Sequence, residues 1–67
     1  MTLYQFLRNL DTNNPIIVLD INNIPIFKAI NKSKIPSEIF EEKVIVFGCR
    51  TSEFDKNFSY IYVVIEK

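Results

Sequence analysis

Few side chains in this chain are suited to making and breaking bonds. Histidine is absent, and Cys49 and Gly48 are the only residues of their types. Arg50 follows Cys49, and its charge would favour a thiolate nucleophile. A cysteine inside an apolar run reads equally as a small buried hydrophobe, and that is the expectation adopted. The carboxylates fall apart: Asp20 and Glu66 lie on expected strands, and Asp11 and Asp55 in expected turns. No two of them share a spacing suited to acid–base work. One glycine cannot build a phosphate-cradling loop, and one cysteine without histidine leaves a structural zinc short of ligands. The expectation is a non-enzymatic protein with no cofactor and no metal.

The aromatic residues are more informative. Tyr60 and Tyr62 are two apart in an apolar run, so on a strand they share a face. Such a pair can stack bases or form a flat partner surface. Phe54 stands among Ser52, Glu53, Asp55 and Lys56. Its ring either folds back over the hairpin or anchors a partner from an exposed loop tip. Tyr60, Tyr62, Phe54 and Arg50 are the candidate partner-binding residues.

Sixty-seven residues permit one domain, residues 1–67. About half of the chain is apolar and a quarter is charged, as in a globular domain. A core of this size supplies only roughly 3–5 kcal/mol, and a lone cysteine rules out an internal disulfide. Self-association as a homodimer is the reinforcement left open. Eight basic residues balance eight acidic ones, which argues against non-specific nucleic-acid binding. No apolar run is long enough to span a bilayer, and the N-terminus lacks a basic region before an apolar core. A cytoplasmic protein is expected, with no membrane partner.

The elements that must position these residues follow from pattern. Thr2 and Gln5 form a capping box, with Met1 and Phe6 placed as its staple. Leu3, Phe6, Leu7 and Leu10 then make one helical stripe over residues 3–10. Residues 11–15, DTNNP, end it. Strands are expected over 16–21 and 24–30, joined by a two-residue turn at Asn22-Asn23. Pro25 confines the second strand to an edge, or itself to the strand's start. Residues 35–41, opening with Ile35-Pro36, suggest a short helix.

Two apolar runs, 44–50 and 59–66, read as a closing hairpin. On alternation, Val44 and Val46 oppose Ile45, Phe47 and Cys49. Likewise Ile61, Val63 and Ile65 oppose Tyr60, Tyr62 and Val64. Gly48 marks a bulge or a close backbone approach. The fold expected is α+β: helix, strand, strand, short helix, strand, strand. All four strands form one antiparallel sheet, with the edge strand 24–30 beside 16–21, which meets the hairpin. The N-terminal helix packs on one face, leaving the other uncovered.

The succession of residues Thr2-Leu3-Tyr4, Phe6-Leu7, Ile16, Val18, Asp20, Ile26-Phe27, Ile35-Pro36-Ser37-Glu38, Val44-Ile45 and Ile61-Tyr62-Val63 resembles small phage and prophage proteins of low-GC Gram-positive bacteria. Heavy use of Ile, Asn, Lys, Phe and Tyr fits the AT-rich codons of such genomes. Some phage proteins of this size bind and inhibit host defence machinery, anti-CRISPR proteins among them. The resemblance implies a viral protein in the host cytosol that captures a host protein, and it assigns no residue a role. Three readings follow: a module binding a host protein, a homodimeric scaffold, and a nucleic-acid binder using Lys28, Lys32, Lys34 and Arg50.

Overall fold

The capping box at the N-terminus forms as its spacing requires. The Thr2 hydroxyl oxygen accepts from the Gln5 amide at 3.2 Å, and the Gln5 side chain accepts from the Thr2 amide at 3.0 Å. It starts helix α1 (Leu3–Arg8), which is shorter than its apolar stripe because Asn9 caps it, its side chain donating to the Gln5 carbonyl. The computed structural model describes residues 1–11, 13–54 and 57–67. Thr12 of the helix-ending run, and Asp55 and Lys56 of the hairpin loop, lie outside the described residues.

Strands β1 (Ile16–Leu19) and β2 (Pro25–Ala29) form an antiparallel hairpin. Five residues, Asp20 to Ile24, separate the two strands; the Asp20 amide donates to the Ile24 carbonyl, so Ile21, Asn22 and Asn23 make the turn in place of a two-residue one. Asp20 is the reason: its carboxylate accepts from the amides of Asn22 and Ile24. Its carbonyl takes the Asn23 amide. Among the described residues only Asn23 has positive φ, at 63°, a conformation asparagine tolerates better than most residues. Pro25 sits at the start of β2 with a register shift beside it, so its missing donor costs the ladder nothing.

Of the short helix expected over residues 35–41 only a 3-10 turn, Ser37–Ile39, forms, and a second 3-10 turn, Lys32–Lys34, occupies the connection before it. Pro36 lies between them in extended conformation, and the bond before it carries the same bias. Lys32 donates to the Leu10 carbonyl, tying this connection to the end of α1. β3 (Val44–Thr51) and β4 (Ser59–Ile65) then pair antiparallel.

The sheet order is β2-β1-β4-β3, and its central pair corrects the all-antiparallel expectation: β1 and β4 are parallel. The cause lies in the route between β2 and β3. These two strands occupy opposite edges yet run in the same direction, so residues 30–43 must cross the whole width of the sheet. Same-direction strands require such a crossover and cannot be joined by a tight turn.

The crossover and α1 cover one face. The core there contains Leu3, Phe6 and Leu7 of α1, Ile35 and Ile39 of the crossover, and Ile16, Val18, Ala29, Ile61, Val63 and Ile65 of the sheet. The N-terminal segment is stitched to the end of the crossover by Leu3 and Tyr4 amides donating to the Glu42 and Phe40 carbonyls. Val44 in turn donates to the Met1 carbonyl at 2.8 Å.

Strand β3 departs from simple alternation. A bulge between Val44 and Val46 inserts Ile45, so Val44 packs against the core while Val46 belongs to the opposite face. This overturns the grouping of Val44 with Val46. Cys49 is exposed and not buried. It points to the helix side, but six residues of α1 do not extend over the outer half of an edge strand. Phe47 shows the same limit: its ring lies 4.7 Å from that of Phe6, yet half of it remains accessible.

Candidate partner-binding face

The face of the sheet opposite α1 is built from residues that the register places side by side. One row runs Lys28, Ile17, Tyr62, Gly48 across β2, β1, β4 and β3. The next holds Leu19, Val64 and Val46, and a third pairs Tyr60 with Arg50. Val64 is only 5% exposed although no helix covers it. Val64 stands outside the main core cluster, so this face also buries an apolar side chain.

Gly48 organises the centre of this face. A Cβ built on it would meet the Tyr62 hydroxyl at 2.7 Å and the ring carbons at 2.9 Å. The close approach is thus by a side chain, while the bulge falls elsewhere, at Ile45. The absent side chain lets the Tyr62 ring lie across β3. There the Arg50 guanidinium carbon stands 4.4 Å from the ring centroid, a cation–π contact of roughly 0.5–1 kcal/mol at an exposed site. Arg50 and Cys49 point to opposite faces, as adjacent strand residues must. They therefore do not combine into a nucleophile with a charged neighbour.

Of the four candidate residues, Tyr60, Tyr62 and Arg50 share this face. Phe54 lies in the β3–β4 loop and is 99% exposed, so its ring does not fold back over the hairpin. Its amide donates to the Ser52 hydroxyl at 3.2 Å, which holds the loop backbone and leaves the ring free. Phe54 nevertheless lines one depression, of ≈ 470 Å³, together with Arg50, Phe58, Tyr60, Ile17 and Lys28. Sequence reasoning missed Phe58. It is half-exposed, with its ring 6.5 Å from that of Tyr60. The same two-residue period that marks Tyr60 and Tyr62 would have found it.

A second depression, of ≈ 530 Å³, continues along the β2 side past Pro15, Ala29 and Ile30. The whole surface is a shallow aromatic trough with Arg50 on one side and Lys28 on the other. Such a trough offers flat apolar contact area and two cations, with the Glu53 carboxylate at its hairpin-loop end. Asp20, the carboxylate nearest in sequence to β1, is engaged in its own turn. Among the described residues, no three His, Cys, Asp or Glu side chains gather as a metal site. No helix among them is long and apolar enough to cross a membrane.

Compared with protein-family models, curated proteins and solved structures, the chain matches none.

Proposed function

We propose that this domain is a small, non-enzymatic interaction module that captures a host protein on the uncovered face of its sheet. The observation that carries the reading is Tyr60 and Tyr62 side by side on one face of β4, with Arg50 stacked 4.4 Å from the Tyr62 ring. Tyrosine and arginine are the side chains that most often supply binding energy at protein interfaces. Here they are held in place by strand pairing and by the space above Gly48, so little side-chain freedom is lost on docking. Phe58 and Phe54 extend the surface towards the hairpin loop, and Lys28 favours a partner with an acidic group.

The test is affinity capture from host lysate with the wild type, Tyr60→Ser, Tyr62→Ser and Arg50→Ala, each first checked for native circular dichroism. A partner held by the wild type and released by the tyrosine substitutions supports the reading. Capture that is indifferent to all three, or no capture by the wild type, defeats it.

One observation favours a second reading, the binding of single-stranded nucleic acid. Lys28 and Arg50 flank the tyrosines, as in stacking platforms with basic borders. Balanced net charge weighs against it. A flat oligonucleotide titration at low salt eliminates this alternative.

A further inference from the structure

The outer edge of β3 is an open hydrogen-bonding template. In the hairpin, the Ser52 amide donates to the Phe58 carbonyl at 2.8 Å. On the other side of β4, the Ile61 amide donates to the Pro15 carbonyl at 2.9 Å. Even-numbered residues of β4 therefore bond to β3 and odd-numbered ones to β1. By the register, Val46, Gly48 and Arg50 are the β3 residues that bond inward. The alternation of an antiparallel ladder then turns the N–H and C=O of Phe47, Cys49 and Thr51 outward. Among the described residues, nothing takes them up. Closure begins only at Val44, whose amide is bound by Met1.

Sheet edges are ordinarily blunted by proline, lysine or shortness. The β3 edge has none of these between Val46 and Cys49, and Val46, Phe47 and Cys49 are all exposed.

We infer that a second copy of this chain pairs with β3 edge to edge, antiparallel, about a twofold axis at Cys49. The three outward residues are symmetric about that position. Phe47 then faces Thr51 of the second copy, Cys49 faces its counterpart, and Thr51 faces Phe47. Each pair exchanges both backbone bonds, giving about six in all. Moving the axis to Arg50 would oppose two guanidinium-bearing residues directly, and moving it to Gly48 would leave Thr51 to the bulged Ile45. With the axis at Cys49, each Arg50 faces Gly48 of the other copy, over which a Tyr62 ring lies, so each guanidinium meets an aromatic ring and not a like charge. The chain's balanced charge adds no repulsion between copies. The product is a continuous eight-stranded sheet in an isologous dimer, whose two tyrosine faces remain open.

Sedimentation equilibrium under reducing conditions tests this with the full chain and two charge variants at an exposed position. The wild type is expected to show a monomer–dimer equilibrium. Cys49→Lys and Cys49→Glu should each dimerise about tenfold more weakly, because like charges meet at the axis, and an equimolar mixture should regain the dimer. Cys49→Pro, which removes an outward N–H and no bond to β4, should also shift towards monomer. A wild type that stays monomeric at high micromolar concentration overturns the inference. So does charge-variant dimerisation equal to the wild type, or a mixture that remains monomeric. Dimers lost with Tyr60→Ser and Tyr62→Ser, but not with the charge variants, would place the contact on the sheet face and overturn it as well. The inference is independent of the proposed function, since partner capture by the tyrosine face and pairing at β3 are read by different substitutions.

Discussion

Strand β4 presents two unlike faces from a single run of seven residues. Ile61, Val63 and Ile65 are sealed under α1 and the crossover, while Tyr60 and Tyr62 are partly buried on the face opposite, which no helix among the described residues covers. The two faces differ because the one α-helix among the described residues and the crossover both lie on the same side. The buried face is aliphatic and shaped by packing. The open face is aromatic and shaped by what Gly48 leaves out. One strand thus serves stability and recognition with alternate residues, so the two can be altered separately.

Substitutions along this strand and its neighbour should separate the faces most sharply at the core. Ile65→Ala removes a side chain with no exposed surface and should cost about 2–5 kcal/mol. Against a total of roughly 3–5 kcal/mol for so small a core, that loss should abolish cooperative thermal unfolding. Gly48→Ala should come next. The new methyl must displace Tyr62, at a strain of about 1–3 kcal/mol, offset by about 0.4–1 kcal/mol from a less flexible unfolded chain. NMR should show the Tyr62 ring moved away from Arg50, and partner capture should fall with it. If Gly48→Ala instead leaves the ring shifts unchanged, Gly48 does not organise the open face.

Arg50→Ala should lower stability by only about 0.5–1 kcal/mol, the worth of an exposed cation–π contact, measured by urea denaturation. The smallest stability change belongs to Phe54→Ser, within about 0.5 kcal/mol because the ring touches so little. Its effect should appear in capture alone. A large loss of stability there would contradict the separation of the two roles.

The two edges of the sheet repeat the contrast. β2 is five residues long, begins at Pro25, carries a register irregularity and displays Lys28. β3 has eight residues, and its bulge lies at one end. Protective features are concentrated on one edge, and the other is left able to pair.

Local patterns announced several of these features. Thr2 and Gln5 cap α1 because both hydrogen bonds are made within three residues. Pro25 marked its own strand for an edge, because a missing donor restricts any strand in the same way. Tyr60 and Tyr62 share a face because alternation is a property of the backbone, and Arg50 joined them through the same parity across the hairpin. Two further features were local as well. Asp20 sets the loop by accepting amides two and four residues on, and Phe58 continues the two-residue period of Tyr60 and Tyr62 just before the strand proper.

The sequence by itself determined where α1 would start, where the four extended runs would lie and which side chains of β4 would travel together, since capping and alternation act over a few residues. Tertiary structure alone decided that β1 and β4 run parallel, because strand direction depends on the path of residues 30–43 across the entire sheet. It likewise exposed Cys49, since burial on an edge strand depends on how far α1 reaches. It inserted Ile45 between Val44 and Val46, because a bulge is settled by pairing with β4 at one end and with Met1 and Thr2 on the other side.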